Sequence, residues 1–462
     1  MTAATTSSES RLERLFAMRS RGTTVRTEVL GGVVTFLTMC YIVFVNPAIL
    51  SAAGMPFGAV TVATALAAAL ATAAMGLITN LPFALASGLG LNAVVAFDLI
   101  LGRKLPWPVA MSCVVLEGVV ALVLVVAGLR EAIMRAVPHE IKLSIGVGIG
   151  LFIALVGFRD AGITINDDAT GIGLGVLTGG VPLVALGGLL VAIVLTARGV
   201  RGAILIGILA ATALGLIFGV LDGPTKVAEV PGSGSFSTIG DALKPSNLSD
   251  ALTWALVPVI FVLFMSDFFD TVGTAVAVSS AGGLLTPRGE VPRLRRLLLV
   301  DSAAAAGGGA FGVSSVTTYV ESGAGVGEGA RTGLASLVTA GLFVLTIFFV
   351  PLIAVVGQGV TVDKVTYYPA VAPALIMVGY LMLRLVADIE WRRPEAAIPA
   401  FLVIAGVPMT FSISAGIGLG ILGYVAVMVA TGRAREVHPL MWALVPLFLA
   451  FFASDWLSAH VF

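Results

Sequence analysis

Apolar stretches long enough to cross a bilayer, about 20 residues each, alternate with short polar breaks along nearly the whole chain. The first half carries seven: 28–46, 59–78, 82–101, 107–128, 141–158, 181–197 and 202–220. A polar connection rich in Gly, Pro and Ser follows at 221–250. The second half carries seven more: 254–280, 295–312, 314–330, 332–357, 366–388, 397–411 and 413–431. Asn46-Pro47 reads as a turn signal that ends the first span. A last apolar stretch, Pro439 to Leu457, does not fit an even count. It is a fifteenth span or a surface helix, or else 397–431 is a re-entrant pair and 439–459 is the final crossing.

Two segments break the pattern. Val313 to Val320 is dense in Ser, Thr and Val and favours a strand; a glycine-rich helical stretch follows, with Glu321 at the junction. In the third span, Ser87-Gly88-Leu89-Gly90-Leu91 matches Ser322-Gly323-Ala324-Gly325-Val326 of the tenth, 235 positions apart. Seven spans per half is an odd number, so the second half must enter the membrane inverted. Paired glycine-interrupted segments in inverted halves point to a midplane binding site. Irregular backbone at that depth is tolerated only where it is buried in protein or lines a cavity.

Composition agrees with a membrane protein: 58% of residues are hydrophobic and 11% charged, against about 25% charged in soluble domains. The net charge is zero, but its distribution is asymmetric. Met1 to Thr27 carries Arg11, Arg14, Arg19, Arg21 and Arg26 and lacks a signal-peptide core, so it reads as a cytoplasmic tail. Arg130/Arg135/Lys142, Arg198/Arg201, Arg288/Arg293/Arg295/Arg296, Arg392/Arg393 and Arg433/Arg435 then all fall inside; the loop with Arg103 and Lys104 is discordant. No basic cluster suggests nucleic acid. Cys40 and Cys113 lie in apolar spans and read as small core residues, and with three His they give no metal framework.

Ionisable groups inside spans are the functional candidates. In the eighth span Asp267, Asp270, Thr271 and Thr274 share one helix face at i, i+3, i+4 and i+7. Transfer out of water favours the neutral form of a carboxyl group, so Glu321 or Asp267 can carry a proton and release it on solvation. Glu328 and Arg331 read as an ion pair at a helix end. Asn92 offers donor and acceptor to a heterocycle edge, and Gly88 allows close backbone approach with helix N–H groups aimed at a ligand. Tyr319 shares a strand face with Glu321 and can stack on a flat ring. Phe83, Asp98, Glu117, Asp160 and Asp301 read as structural or interfacial.

The stretches F-L-T-M-C-Y-I-V-F-V-N-P-A-I-L (36–50), G-L-G-L-N-A (88–93), K-L-S-I-G-V-G-I-G-L-F-I-A-L-V-G-F (142–158), D-F-F-D-T-V-G-T (267–274) and V-T-T-Y-V-E-S-G-A-G-V-G-E-G-A-R-T-G (316–333) carry a resemblance. The chain resembles the nucleobase–cation symporter-2 superfamily of xanthine and uracil permeases, in particular its AzgA-like adenine/guanine/hypoxanthine branch, from about residue 28 to 435. The resemblance implies an all-α polytopic membrane protein with fourteen segments in two inverted seven-segment repeats and short antiparallel strands in segments 3 and 10. It implies a cytoplasmic tail (1–27), a core domain (28–128 and 251–357), a gate domain (129–250 and 358–436) and an additional hydrophobic C-terminal segment (437–462). By position, Glu321 and Asp267 are the implied binders of the base's edge, with Tyr319 and Asn92 beside them. Ser87, Gly88, Ser322, Thr318, Asp270 and Thr271 complete the expected substrate set.

Ser87 stands where the branch usually has proline, and Val94-Val95 where aromatics are common, which leaves the preferred purine open. The expected activity is uptake of adenine, guanine, hypoxanthine or xanthine, coupled to protons through Glu321 and Asp267. The expected setting is the plasma membrane bilayer, with the N-terminus cytoplasmic, room for a homodimer and no cofactor. A permease for another nucleobase is the alternative. An anion transporter of the same fold would want a basic residue between Pro82 and Asp98, and there is none. An intramembrane enzyme would want histidines in spans, whereas His139, His438 and His460 lie at loops or the terminus.

Overall fold

The computed structural model describes residues 11–128, 137–167, 170–286, 290–357, 359–363 and 365–460. Side chains among them are described between 13 and 453. Residues 1–10 of the expected tail and the loop arginines Arg130, Arg135 and Arg288 lie outside the described residues.

After a short helix, α1 (Arg11–Phe16), the first span is built from α2 (Val25–Met39) and α3 (Ile42–Ala52), which together cover 28 residues. Thr24 starts α2 by accepting from the Thr27 amide, the usual helix N-cap contact. The break falls at Cys40-Tyr41 and not, as the sequence suggested, at Asn46-Pro47. Pro47 lies inside α3, and Asn46 is buried with its amide donating to Thr64 Oγ1 at 2.8 Å and to the Val313 carbonyl at 3.3 Å. A proline in a buried helix costs one backbone bond, which neighbouring polar groups and packing can offset.

The chain continues through α4 (Phe57–Thr79), strand β1 (Leu85–Ser87), α5 (Leu89–Ala93, prolonged as a π-helix over Val94–Gly102), α6 (Trp107–Val126) and α7 (His139–Asp160). A small hairpin of β2 (Thr164–Ile165) and β3 (Gly173–Leu174) precedes α8 (Gly180–Ala197), α9 (Ala203–Ile217) and the short α10 (Pro245–Ala251). The second half runs α11 (Val257–Ala281), α12 (Leu294–Phe311), β4 (Val316–Thr318), α13 (Ser322–Gly327), α14 (Gly333–Thr346) and α15 (Val350–Val356). It closes with hairpin β5 (Val360–Val362) and β6 (Val365–Tyr367), then α16 (Ala372–Leu383), α17 (Pro394–Thr410), α18 (Ile413–Ala430) and α19 (Pro439–His460).

The expected span at 366–388 is thus shorter than its apolar run. Val360-Thr361-Val362 and Val365-Thr366-Tyr367 alternate β-branched residues and pair as strands, and Pro373 sits in the first turn of α16, where its missing N–H is harmless. Eight helices among the described residues are long and apolar enough to cross a membrane, with shorter apolar helices at 89–102, 203–217, 394–410 and 439–453. The chain is a mostly helical, multi-pass membrane protein.

Two sets of helices pack among themselves. In one, α12 lies on α6 and α4, α14 on α4 and α2, and α13 on α2. In the other, α16 lies on α7 and α8, α17 on α7 and α18, and α8 on α9; α19 lies on α18. Small residues set the closest crossings, as bundles in lipid require: a Cβ on Gly333 would stand 2.0 Å from the Gly76 carbonyl oxygen.

The first set is pinned by a residue the sequence did not single out. Glu28 of α2 is fully buried, and its carboxylate accepts from the backbone amides of Arg331 (2.8 Å), Thr332 (3.2 Å) and Ala335 (3.3 Å) at the start of α14. Those amides have no partner within their own helix. Glu28→Ala is expected to destabilise the protein by about 2–4 kcal/mol, because three buried donors lose a charged acceptor, and thermal unfolding of the detergent-solubilised protein measures it.

Candidate functional site

The site begins with backbone. β1 and β4, from opposite halves of the chain, pair antiparallel in the register Leu85↔Thr318, Ala86↔Thr317, Ser87↔Val316, and both strands are buried. A two-stranded ribbon has two outer edges whose polar groups need partners where water is absent. Side chains from neighbouring helices supply them. Thr72 Oγ1 of α4 accepts from Leu85 N at 2.9 Å and donates to Leu85 O at 3.0 Å. Asp301 Oδ1 of α12 accepts from Thr318 N at 3.0 Å and from Thr318 Oγ1 at 2.8 Å. Ser322 Oγ accepts from Ala84 N at 3.0 Å, and Gly88 N donates to Ser315 O at 2.9 Å. The expected strands in segments 3 and 10 are therefore present, and each is followed by a helix.

Around this ribbon stand the expected acids. Glu321 precedes α13, and its Oε1 accepts a 2.5 Å hydrogen bond from Tyr41 Oη. The break between α2 and α3 places Tyr41 there. Asp267 is buried on α11, and its Oδ1 accepts from Ser315 Oγ at 3.2 Å. Tyr319 is buried and donates from Oη to the Ser87 carbonyl at 2.5 Å, which fixes its ring. Ser87 Oγ lies 2.6 Å from Asn92 Oδ1 and also reaches the Val313 carbonyl. Asn92 itself is fully buried, and its Nδ2 has no hydrogen-bond partner among the described residues. A buried amide donor without an acceptor is costly, and this one stands at the ribbon's end.

Other expected residues are placed differently. The hydroxyls of Thr318, Thr271 and Ser322 are all engaged by protein: Thr271 Oγ1 donates to Asp301 Oδ2 at 2.6 Å and lies 2.8 Å from Thr317 Oγ1. The expected polar stripe on α11 divides. Asp267, Thr271 and Thr274 are buried, whereas Asp270 is exposed. Exposure then continues along α11 through Gly273, Val276, Ala277 and Ser280, on the half of the helix that ends nearest Arg293, Arg295 and Arg296. A carboxylate does not face lipid at low cost, so the exposed Asp270 calls for polar surroundings on that face of α11. Asp270 lies near enough to Glu321 and Asp267 for their charges to interact.

Glu328 does not pair with Arg331. It forms an ion pair with Arg201, from the turn between α8 and α9, while the Arg331 guanidinium donates to the carbonyls of Val326 (2.7 Å) and Ala330 (2.8 Å). The carbonyls left open at the end of α13 claim the nearer cation. Tyr41 and Ser315 are the residues the sequence reading missed. Tyr41 is the one tyrosine in the first span, a polar aromatic mid-run, and that is the signal that marks it.

A helical membrane bundle whose two interrupted segments meet at buried acids defines a transporter, not an enzyme. The chain belongs to the permease family of xanthine and uracil permeases (Xan_ur_permease, described as "Permease family"), whose family profile matches residues 26–419, and so to the nucleobase–cation symporter-2 group that its motifs resemble. It is 40% identical over 451 residues to the guanine/hypoxanthine permease PbuG of Bacillus subtilis, covering 96% of this chain and 99% of that protein. It is 37% identical over 450 residues to the adenine permease AdeP of Escherichia coli, covering 96% of each. Its fold is similar to the transmembrane domain of the cyanobacterial bicarbonate transporter BicA, with TM-score 0.62 at 14% identity over 84% of this chain and 97% of that one.

Proposed function

We propose that the protein takes up purine nucleobases across the plasma membrane, coupled to protons, by alternating access. The observation that carries this reading is the arrangement of Glu321, Asp267 and the unpartnered Asn92 Nδ2 around the β1/β4 ribbon. A purine presents ring N–H donors and ring nitrogen or carbonyl acceptors on one planar edge. Two carboxylates suit the donors and the Asn92 amide suits an acceptor. A site built to hydrogen-bond a ligand discriminates strongly against analogues lacking those groups. The relatives' named substrates, guanine, hypoxanthine and adenine, are of this class, and xanthine shares the same edge chemistry.

In this reading the chain has fourteen segments, with α2–α6 and α11–α15 as the core that carries the base and α7–α9 and α16–α18 as the gate. The two packing groups support that division. The N-terminus is cytoplasmic, and the exposed half of α11 then opens the site inward. Glu321 or Asp267 relays the proton, Tyr319 offers its ring to the base, and Ser87 and Gly88 shape the wall of segment 3. Thr318, Thr271 and Ser322 hold the ribbon, and Asp270 attracts water and protons at the entrance.

Radiolabelled hypoxanthine and adenine should accumulate in a purine-transport-deficient host, and an uncoupler should abolish the accumulation. Unlabelled purines should compete and pyrimidines should not. Accumulation that persists with the uncoupler removes proton coupling; competition by pyrimidines alone removes the purine assignment.

A further inference from the structure

Glu117, in the middle of α6, has no task in the site described above, yet it is fully buried and neither of its carboxyl oxygens has a hydrogen-bond donor among the described residues. The groups it faces are the Asp267 carboxyl and the Ser315 hydroxyl. Ser315 Oγ has a single proton and lies 3.2 Å from Asp267 Oδ1, so it cannot serve both carboxyl groups at once. Among the described residues, the arginine of α12 that reaches α6, Arg295, donates to the Val126 carbonyl at the far end of the helix, nine positions from Glu117. α11 contributes Asp267 and, further along, Asp270; α12 contributes Asp301, which is engaged with Thr271 and Thr318. On the π-helix after α5, Asp98 and Arg103 pair with each other at 3.2 Å. In the loop segment before α10, Asp241 pairs with Lys244 at 2.6 Å, and Asp250 on α10 is exposed. Backbone closes the remaining side: a Cβ on Gly118 would stand 2.2 Å from the Ala306 amide nitrogen, so α6 and α12 touch at this level.

Two carboxyl groups that face one another without a cation or sufficient donors do not both ionise; they hold a proton between them. We infer that Glu117 and Asp267 share one proton, with Glu117 donating to Asp267 in the empty site and keeping the proton when Asp267 accepts from a bound base. Glu117 thereby sets the charge state of the substrate-binding carboxylate without touching substrate, as a positioning residue for proton coupling. The substrate step of this inference rests on the proposed function; the shared proton itself does not. No bond changes beyond the transfer of that proton between two carboxyl oxygens.

Glu117→Gln tests it, since the amide keeps the size and the donor but cannot release a proton. Base exchange, with labelled base inside and unlabelled base outside, should stay near wild type. Gradient-driven accumulation should fall about tenfold or more, the scale of losing a positioned proton carrier, and the pH dependence of uptake should flatten. In infrared difference spectra of the substrate-free protein between neutral and alkaline pH, a protonated-carboxyl C=O band should vanish in Glu117→Gln and shift in Asp267→Asn. An unchanged band together with wild-type accumulation overturns the inference. A band lost as expected in a protein that transports no nucleobase would uphold the shared proton and sink the substrate assignment instead. Where Glu117→Gln does not reach the membrane folded, the Asp267→Asn spectrum decides alone: no shift overturns the inference.

Discussion

Glu321→Gln is expected to lower nucleobase uptake by about 100-fold or more while leaving the protein folded, the range seen when a positioned acid–base group is removed. The carboxylate accepts from Tyr41 Oη at 2.5 Å; the amide either keeps that acceptor and loses the proton, or turns its NH₂ toward the phenol and clashes with a donor. In both rotamers the negative charge that draws a ring N–H is gone. Tyr41→Phe should weaken binding far less, because it leaves the carboxylate in place. Initial-rate uptake, normalised to protein in the membrane by antibody, measures both. Equal uptake by wild type and Glu321→Gln would remove Glu321 from the site.

The second large effect is steric. Gly325 of α13 lies against α2 so closely that a Cβ would stand 2.2 Å from Thr35 Oγ1 and 2.3 Å from the Gly31 carbonyl oxygen. Backbone on the far side does not yield as a side chain can. Gly325→Val is therefore expected to cost about 3 kcal/mol, the upper part of the usual range for overpacking, and to push Glu321, four residues earlier, away from Tyr41. Gly327→Ala, two positions on with nothing within 4 Å of its Cβ site, should be nearly neutral in stability. Unfolding temperature by intrinsic fluorescence in detergent, together with hypoxanthine uptake, separates the two. A Gly325→Val protein as stable and active as Gly327→Ala would contradict the close packing of α13 on α2.

The ribbon also explains why so many polar residues sit in one place. Asp301, Thr72 and Ser322 are there to satisfy strand edges in a medium without water. In the proposed reading Glu321, Asp267 and the unpartnered Asn92 Nδ2 are the groups left to meet the base. The same residue types do two different tasks, and only their partners tell them apart.

What the sequence determined by itself follows from local chemistry. The run lengths of apolar residues set where helices fall, because burial in lipid is a property of each stretch; α4, α6, α8 and α18 lie within a few residues of the stretches that predict them. The interruptions at Ser87-Gly88 and at Val316 to Glu321 were legible because β-branched residues and glycines resist a continuous helix, and the acids were legible because a charge in a span is expensive. The tertiary structure alone decided who meets whom. Tyr41 reaches Glu321 across 280 positions, Glu28 caps a helix more than 300 residues away, Glu328 takes Arg201 and not its neighbour Arg331, and Asp270 faces outward from the stripe it shares in sequence with Asp267. Spacing within one helix fixes a face, but the element packed against that face fixes its chemistry, and here that element comes from the other half of the chain.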